Sequence, residues 1–216
     1  DVIEKVGDKT VKELINEMAP LVNGSNYPSK LAALLSFNYI CGGKERTVDL
    51  TVRTKTGRTT MKADRYYFSA FHMQGSLTPD SVYKKLPGNI GYVNMGLLLI
   101  KNVDSVMRQL NGCAGIIFDL RYRPHGTAYL ISQYLLSSQK SFARIMAPNL
   151  DYPGTFLWIN RLNLVGPPKR EKERPHYQGQ VVLLVNESTL SHAEWSAMAL
   201  QTVPGSVTIG SQTAGA

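Results

Sequence analysis

The chain has 216 residues, 24 Lys and Arg against 16 Asp and Glu, a net charge of +8 and an apolar share of 43%. That describes a soluble, globular chain of one large domain or one plus a small one, with no apolar run near the roughly 20 residues that span a bilayer. The basic residues are dispersed rather than gathered on one helix, which argues against nucleic acid as a partner.

In chain order, residues 2–6 read as a strand and Gly7-Asp8 as a turn. Residues 10–18 read as a helix: Thr10 and Glu13 have capping-box spacing, and Val11, Leu14, Ile15 and Met18 share a face. Pro20 closes it, and 23–28 is a loop. Ser29 opens a second helix, with Leu31, Leu34 and Leu35 as its apolar side, running to about Gly42-Gly43. Residues 47–54 alternate, with Val48, Leu50 and Val52 inward, as a half-buried strand should. A turn at 55–58 and a return strand at 59–63 complete a small α+β unit over 1–65. Residues 66–89, loose and aromatic-rich, read as a linker.

From residue 90 strand and helix alternate: a strand at 91–95, a helix at 104–110, a strand at 115–120, a loop at 121–126 and a helix at 127–137. A long irregular segment, 139–180, includes the run KREKER (169–174), a solvated loop by its mixed charge. Then come an apolar strand at 181–185, a polar turn, a helix from Ser191 that Pro204-Gly205 ends, and a strand at 207–209. The alternation predicts an α/β body with a parallel or largely parallel sheet. The chain starts without Met and stops in a loop, so it is expected to be a piece of a longer protein.

Ser191 stands where a strand turns into a helix, exposed and facing the positive end of the helix dipole, which suits a nucleophile. Ser191 and Glu194 are also spaced as a capping box, which is a purely structural role. The two readings stand side by side. His192 follows the serine, and neighbours on a helix point apart, so its ring is a poor base for Ser191. Its backbone N–H lies where an oxyanion donor would be needed. The other histidines are His72, His125 and His176. No phosphate loop, dinucleotide fingerprint, HExxH or paired-cysteine motif is present, so neither cofactor nor metal is expected. Cys41 and Cys113 read as core filler, and the N-x-S sequons at Asn23 and Asn186 as chance matches.

Three stretches, in order, resemble the C-terminal-processing (tail-specific) serine peptidases. GIIFDLRYRPHG (115–126) is similar to that family's strand-and-loop motif, VVLLVNESTLSHAE (181–194) to its nucleophile segment, and IGSQTAG (209–215) to the segment after its next strand. The likeness runs over about 88–216. Residues 1–63 resemble a PDZ-like domain lacking its first strands.

The resemblance implies a ClpP/crotonase-like core of strand-strand-helix turns at 90–216, truncated at its C-terminus, a partial PDZ-like domain at 1–65, and the linker between them. It implies a serine endopeptidase acting on extended or C-terminal polypeptide segments. Ser191 becomes the nucleophile, the His192 and Gly126 N–H groups the oxyanion donors with His125 as the alternative donor, and Asp119 and Arg121 the struts of that loop. An exported, envelope-associated bacterial protein is the corresponding expectation for its location.

Two departures qualify the likeness. His125-Gly126 replaces a common Gly-Gly, and Arg123 stands where asparagine is common. Ala216 holds the position of the lysine base of one branch. The sequence therefore resembles the tricorn-like branch, whose histidine precedes the PDZ-like domain and whose glutamate follows the strand ending at Gly210. This chain is accordingly expected to be inactive by itself. Among its own histidines, His125 is the fallback base. The rival readings are a catalytically inactive peptide-binding or scaffold paralogue on the same fold, and an acyl-CoA enzyme with a crotonase-type core.

Overall fold

In the computed structural model, which describes residues 1–35, 40, 42–65, 81–159, 162–168 and 174–215, the chain divides into two units, Asp1–Thr78 and Pro79–Ala214.

The first unit is a four-stranded antiparallel sheet with two short helices. β1 (Val2–Val6) pairs with β2 (Lys9–Thr10) on one side and β3 (Thr47–Thr54) on the other, and β4 (Gly57–Asp64) forms the far edge. α1 (Val11–Met18) starts where the capping box predicts: Thr10 N–H donates to Glu13 Oε2 at 2.8 Å, and Glu13 N–H donates to Thr10 Oγ1 at 3.2 Å. Its apolar face is only half-buried. α2 (Tyr27–Leu34) begins before Ser29, because the Asn26 side chain takes the Ser29 N–H at 3.0 Å and Pro28 fits the first turn. It ends at Leu34, well short of Gly42-Gly43. The β3–β4 turn is two residues, not four, with Thr54 paired to Gly57.

The second unit is mixed α/β, built on a five-stranded sheet in which Val207–Gly210, Gln180–Val185, Gly115–Asp119, Ile90–Asn94 and Tyr83–Leu86 lie in that order. β6 (Ile90–Asn94), β7 (Gly115–Asp119), β12 (Gln180–Val185) and β13 (Val207–Gly210) run parallel. β5 (Tyr83–Leu86), inside the stretch read as linker, is an antiparallel edge strand on β6. Its burial pattern is mostly exposed, so no apolar alternation marked it. α3 (Val103–Leu110) buries Val103, Val106, Met107 and Leu110. α4 (Ala128–Leu135) and α5 (His192–Gln201) bury their small and aliphatic residues in the same core as Phe118 and Leu183.

The segment 139–180 is not irregular throughout. β8 (Lys140–Ala143) pairs with β11 (Asn163–Val165), and β9 (Met146–Pro148) with β10 (Phe156–Trp158). Strands of three or four residues carry too short a pattern to register as strands, and the β8–β11 pairing joins positions some twenty residues apart. Cys113 is a buried free thiol, while Cys41 and His72 lie outside the described residues. Among the described residues, no helix is long and apolar enough to cross a membrane.

Candidate active site

β7 and β12 lie side by side and end together, Asp119 opposite Leu184. The loops after them therefore meet at the carboxyl ends of parallel strands, where open α/β sheets place their ligands.

The turn from β12 to α5 is held by one threonine. Thr189, fully buried, accepts the Asn186 N–H through Oγ1 at 3.0 Å and donates that hydroxyl to Leu120 O at 3.0 Å. Its own N–H donates to Asn186 O at 2.9 Å, and its carbonyl accepts the Ala214 N–H at 2.9 Å. The turn is thus tied both to the end of β7 and to the segment after β13.

That bracing presents Ser191 in an unusual backbone state, φ 53° and ψ −110°, with the residue exposed. Among the described residues only Asn89 and Ser191 are non-glycine positions with positive φ. Such a conformation costs about 1–3 kcal/mol and persists only where its surroundings over-determine it. The restraint is visible. Ser191 N–H donates to Glu194 Oε2 at 3.1 Å, Trp195 N–H donates to Ser191 O at 2.9 Å, and Thr213 Oγ1 donates to Glu194 Oε1 at 2.6 Å. The glutamate half of the capping box therefore serves to lock a strained serine, and that structural role leaves the Ser191 residue exposed. Gly210 makes the adjoining crossing possible: it has φ +137°, and a Cβ there would sit 1.8 Å from Val185 O.

The facing loop hangs on Asp119. This fully buried carboxylate accepts Arg121 Nε and a terminal guanidinium nitrogen at 2.9 and 2.7 Å, the Arg121 N–H at 3.1 Å and the Tyr92 hydroxyl at 2.7 Å. Burial pushes the Asp119 carboxyl up, but the hydrogen bonds from Arg121 and Tyr92 outweigh it and hold the group below the usual carboxylate range. Burial and the bond to Asp119 push the Tyr92 phenol well up.

Farther along, His125 is exposed, and its Nε2 donates to Gly96 O at 3.0 Å, which pins the loop from its other side. Gly126 has φ +75°, and a Cβ on it would lie 3.8 Å from His192 Cε1. The structure therefore brings Gly126 beside the start of α5. The His192 and Gly126 N–H groups find no acceptor among the described residues.

Arg123, Ser191, His192 and Trp195 line a shallow depression. The indole of Trp195 is fixed by its Nε1–H, donated to the Tyr129 hydroxyl at 2.7 Å, and by edge-on packing with Phe142 at 4.9 Å.

No described histidine or lysine hydrogen-bonds the Ser191 hydroxyl. His125 is spent on Gly96, and His176 sits before β12, at the opposite end of that strand from Ser191, beside Gln178. No cluster of three metal-ligating side chains occurs among the described residues. Sequence reasoning missed Thr189 and Trp195. Thr189 was findable, since Asn-x-x-Thr after a strand favours a side-chain-capped turn; Trp195 gave no signal beyond its place on a helix.

The family model described as Peptidase family S41 matches residues 89–216. Among solved structures, mature CPAF complexed with lactacystin aligns with a TM-score of 0.65 and 10% identity, over 98% of this chain and 63% of that one. Mature CPAF gives 0.66 and 11%, over 98% and 62%. The photosystem II D1 C-terminal processing protease gives 0.43 and 15%, over 98% and 51%. The chain thus spans about 63% of the length of the CPAF structure, and at such identity that likeness speaks to the fold alone. A search of curated proteins found no match.

Proposed function

The chain belongs to Peptidase family S41, and from that premise we propose that it supplies the nucleophile and oxyanion-binding half of a serine endopeptidase site acting on extended or C-terminal polypeptide segments. The observation that carries this is the strained, exposed backbone of Ser191 at the strand-to-helix turn. A residue held at that cost without packing gain is one whose side chain must point somewhere particular.

In the proposed chemistry, Ser191 Oγ attacks the scissile carbonyl carbon while a general base takes its proton. The carbonyl π pair moves onto oxygen, giving a tetrahedral oxyanion. The N–H groups of His192 and Gly126, which find no acceptor among the described residues, are the donors for that oxygen, with the His125 N–H as the alternative. One such donor contributes about 3 kcal/mol to the transition state. Collapse breaks the C–N bond, and the base returns the proton to the leaving amine. Water then hydrolyses the acyl-serine. Glu194 is a positioning residue here, since it holds the Ser191 backbone. The base is a histidine supplied in the manner of the tricorn-like branch, from residues outside this chain.

The first unit is proposed to dock the polypeptide as a PDZ-like module. Among the described residues no strand covers the outer edge of β4, and an extended peptide can add there as a further strand.

An inactive scaffold on the same fold is the second reading. It is favoured by Arg123-Pro124-His125 standing in the loop, and by the lack of a described base on Ser191. A fluorophosphonate probe on the full protein separates the two. Labelling that disappears in Ser191→Ala supports the peptidase; no labelling of the folded protein favours the scaffold.

A further inference from the structure

We infer that Arg123 reads a carboxylate on the polypeptide presented to Ser191, so that the site selects either an acidic side chain beside the scissile bond or a free C-terminal carboxylate close to it. That a bond is cut there rests on the peptidase proposal; the carboxylate recognition does not.

Of the four residues lining the depression, Arg123 alone carries a permanent charge. It is exposed, and no carboxylate among the described residues pairs with it. Its neighbour in the loop is the opposite case: Arg121 is consumed by Asp119. The acid nearest the serine, Glu194, is turned to the Ser191 N–H and to Thr213. The depression therefore has a cation on its wall and, among the described residues, no acid arranged to neutralise it.

The guanidinium is also well mounted. Pro124 is buried and restricts Arg123 to extended backbone. Arg121 and Asp119 anchor the loop before Arg123, and the His125 ring anchors it after, on Gly96. What remains mobile is the side chain, whose planar fork matches a carboxylate in two parallel hydrogen bonds. The amino end of α5 adds positive potential on the same side. Trp195, with its indole fixed, offers an apolar wall for the stem of an adjacent residue.

The test uses the 216-residue chain with Trp158→Phe, which leaves Trp195 as the one tryptophan, and Ser191→Ala to prevent turnover. Four acetylated Ala/Leu heptapeptides are titrated by Trp195 fluorescence: a neutral C-terminal amide, the same peptide with a free C-terminal carboxylate, an amide with one central Glu, and an amide with Gln at that position. At least one acidic peptide is expected to bind about three- to tenfold tighter than its neutral counterpart. The preference should shrink in high salt. It should vanish in Arg123→Gln and persist in Arg108→Gln, which removes the same net charge from the exposed side of α3. Which acidic peptide responds identifies the source of the carboxylate.

Equal binding of all four peptides, binding of none at millimolar concentration, or a preference that survives Arg123→Gln overturns the inference. Fluorophosphonate labelling of the full protein reports on Ser191 separately. Carboxylate preference without labelling keeps Arg123 and removes the peptidase; labelling without preference does the reverse.

Discussion

The two units use hydrophobic burial differently. In the second, Phe118, Leu183 and Leu200 are fully buried around one core, and α3 buries four residues. In the first, α1 has an apolar stripe of the right period yet buries none of it completely. The strained serine stands in the second, densely packed unit. Thr189, Glu194 and the Asp119 cluster over-determine its backbone, and a densely packed core keeps those braces in place. The lightly packed sheet is compatible with the docking role proposed for it, in which a strand adds at the edge and no atom need be held to a fraction of an ångström.

The largest effect that can break this contrast is core truncation. Phe118→Ala should cost about 3–5 kcal/mol in urea unfolding, against about 1 kcal/mol for Leu14→Ala on α1. Equal losses would erase the distinction.

Next is the buried carboxylate. Asp119→Ala leaves Arg121 and Tyr92 without their acceptor and should cost about 2–3 kcal/mol, less than a wholly buried pair because Arg121 is partly exposed. The same group gives a pH signature. Its pKa is lower folded than unfolded, so its contribution is complete above the unfolded value, about 3.9. The contribution falls as pH drops through the folded value. Unfolding midpoints measured downward from pH 5 should decline less steeply in Asp119→Asn than in the parent.

Thr189→Val keeps the shape but removes the hydroxyl that joins the β12 turn to Leu120 O. We expect a loss of about 1–2 kcal/mol and slower fluorophosphonate labelling in the full protein. Unchanged labelling would mean the serine does not depend on that brace. The smallest effect is Thr10→Ala. It removes the side-chain half of the α1 capping box at a cost of about 1 kcal/mol, with no change in labelling.

The sequence made certain features legible because they are local. The capping box of α1, the faces of α3 and the apolar run of β12 depend on residues within one or two turns of each other, and each lies where its pattern put it. Ser191 was legible as the residue at a strand-to-helix turn. Its positive φ was not, because that conformation is unfavourable for the isolated serine and exists only through bonds to Glu194 and its neighbours. The pairing of β8 with β11 and the place of β5 at a sheet edge were hidden for a related reason: such short strands are stabilised by partners, not by propensity.

By itself, then, the order of residues determined the family, the α/β alternation and the serine to examine. Tertiary structure alone decided that Gly126 lies beside His192, that His125 is engaged by Gly96, and that Arg123 and Trp195 share a depression with the serine. Those contacts join positions about 30 to 70 residues apart. They are set by which strands lie side by side in the sheet, which no local periodicity encodes.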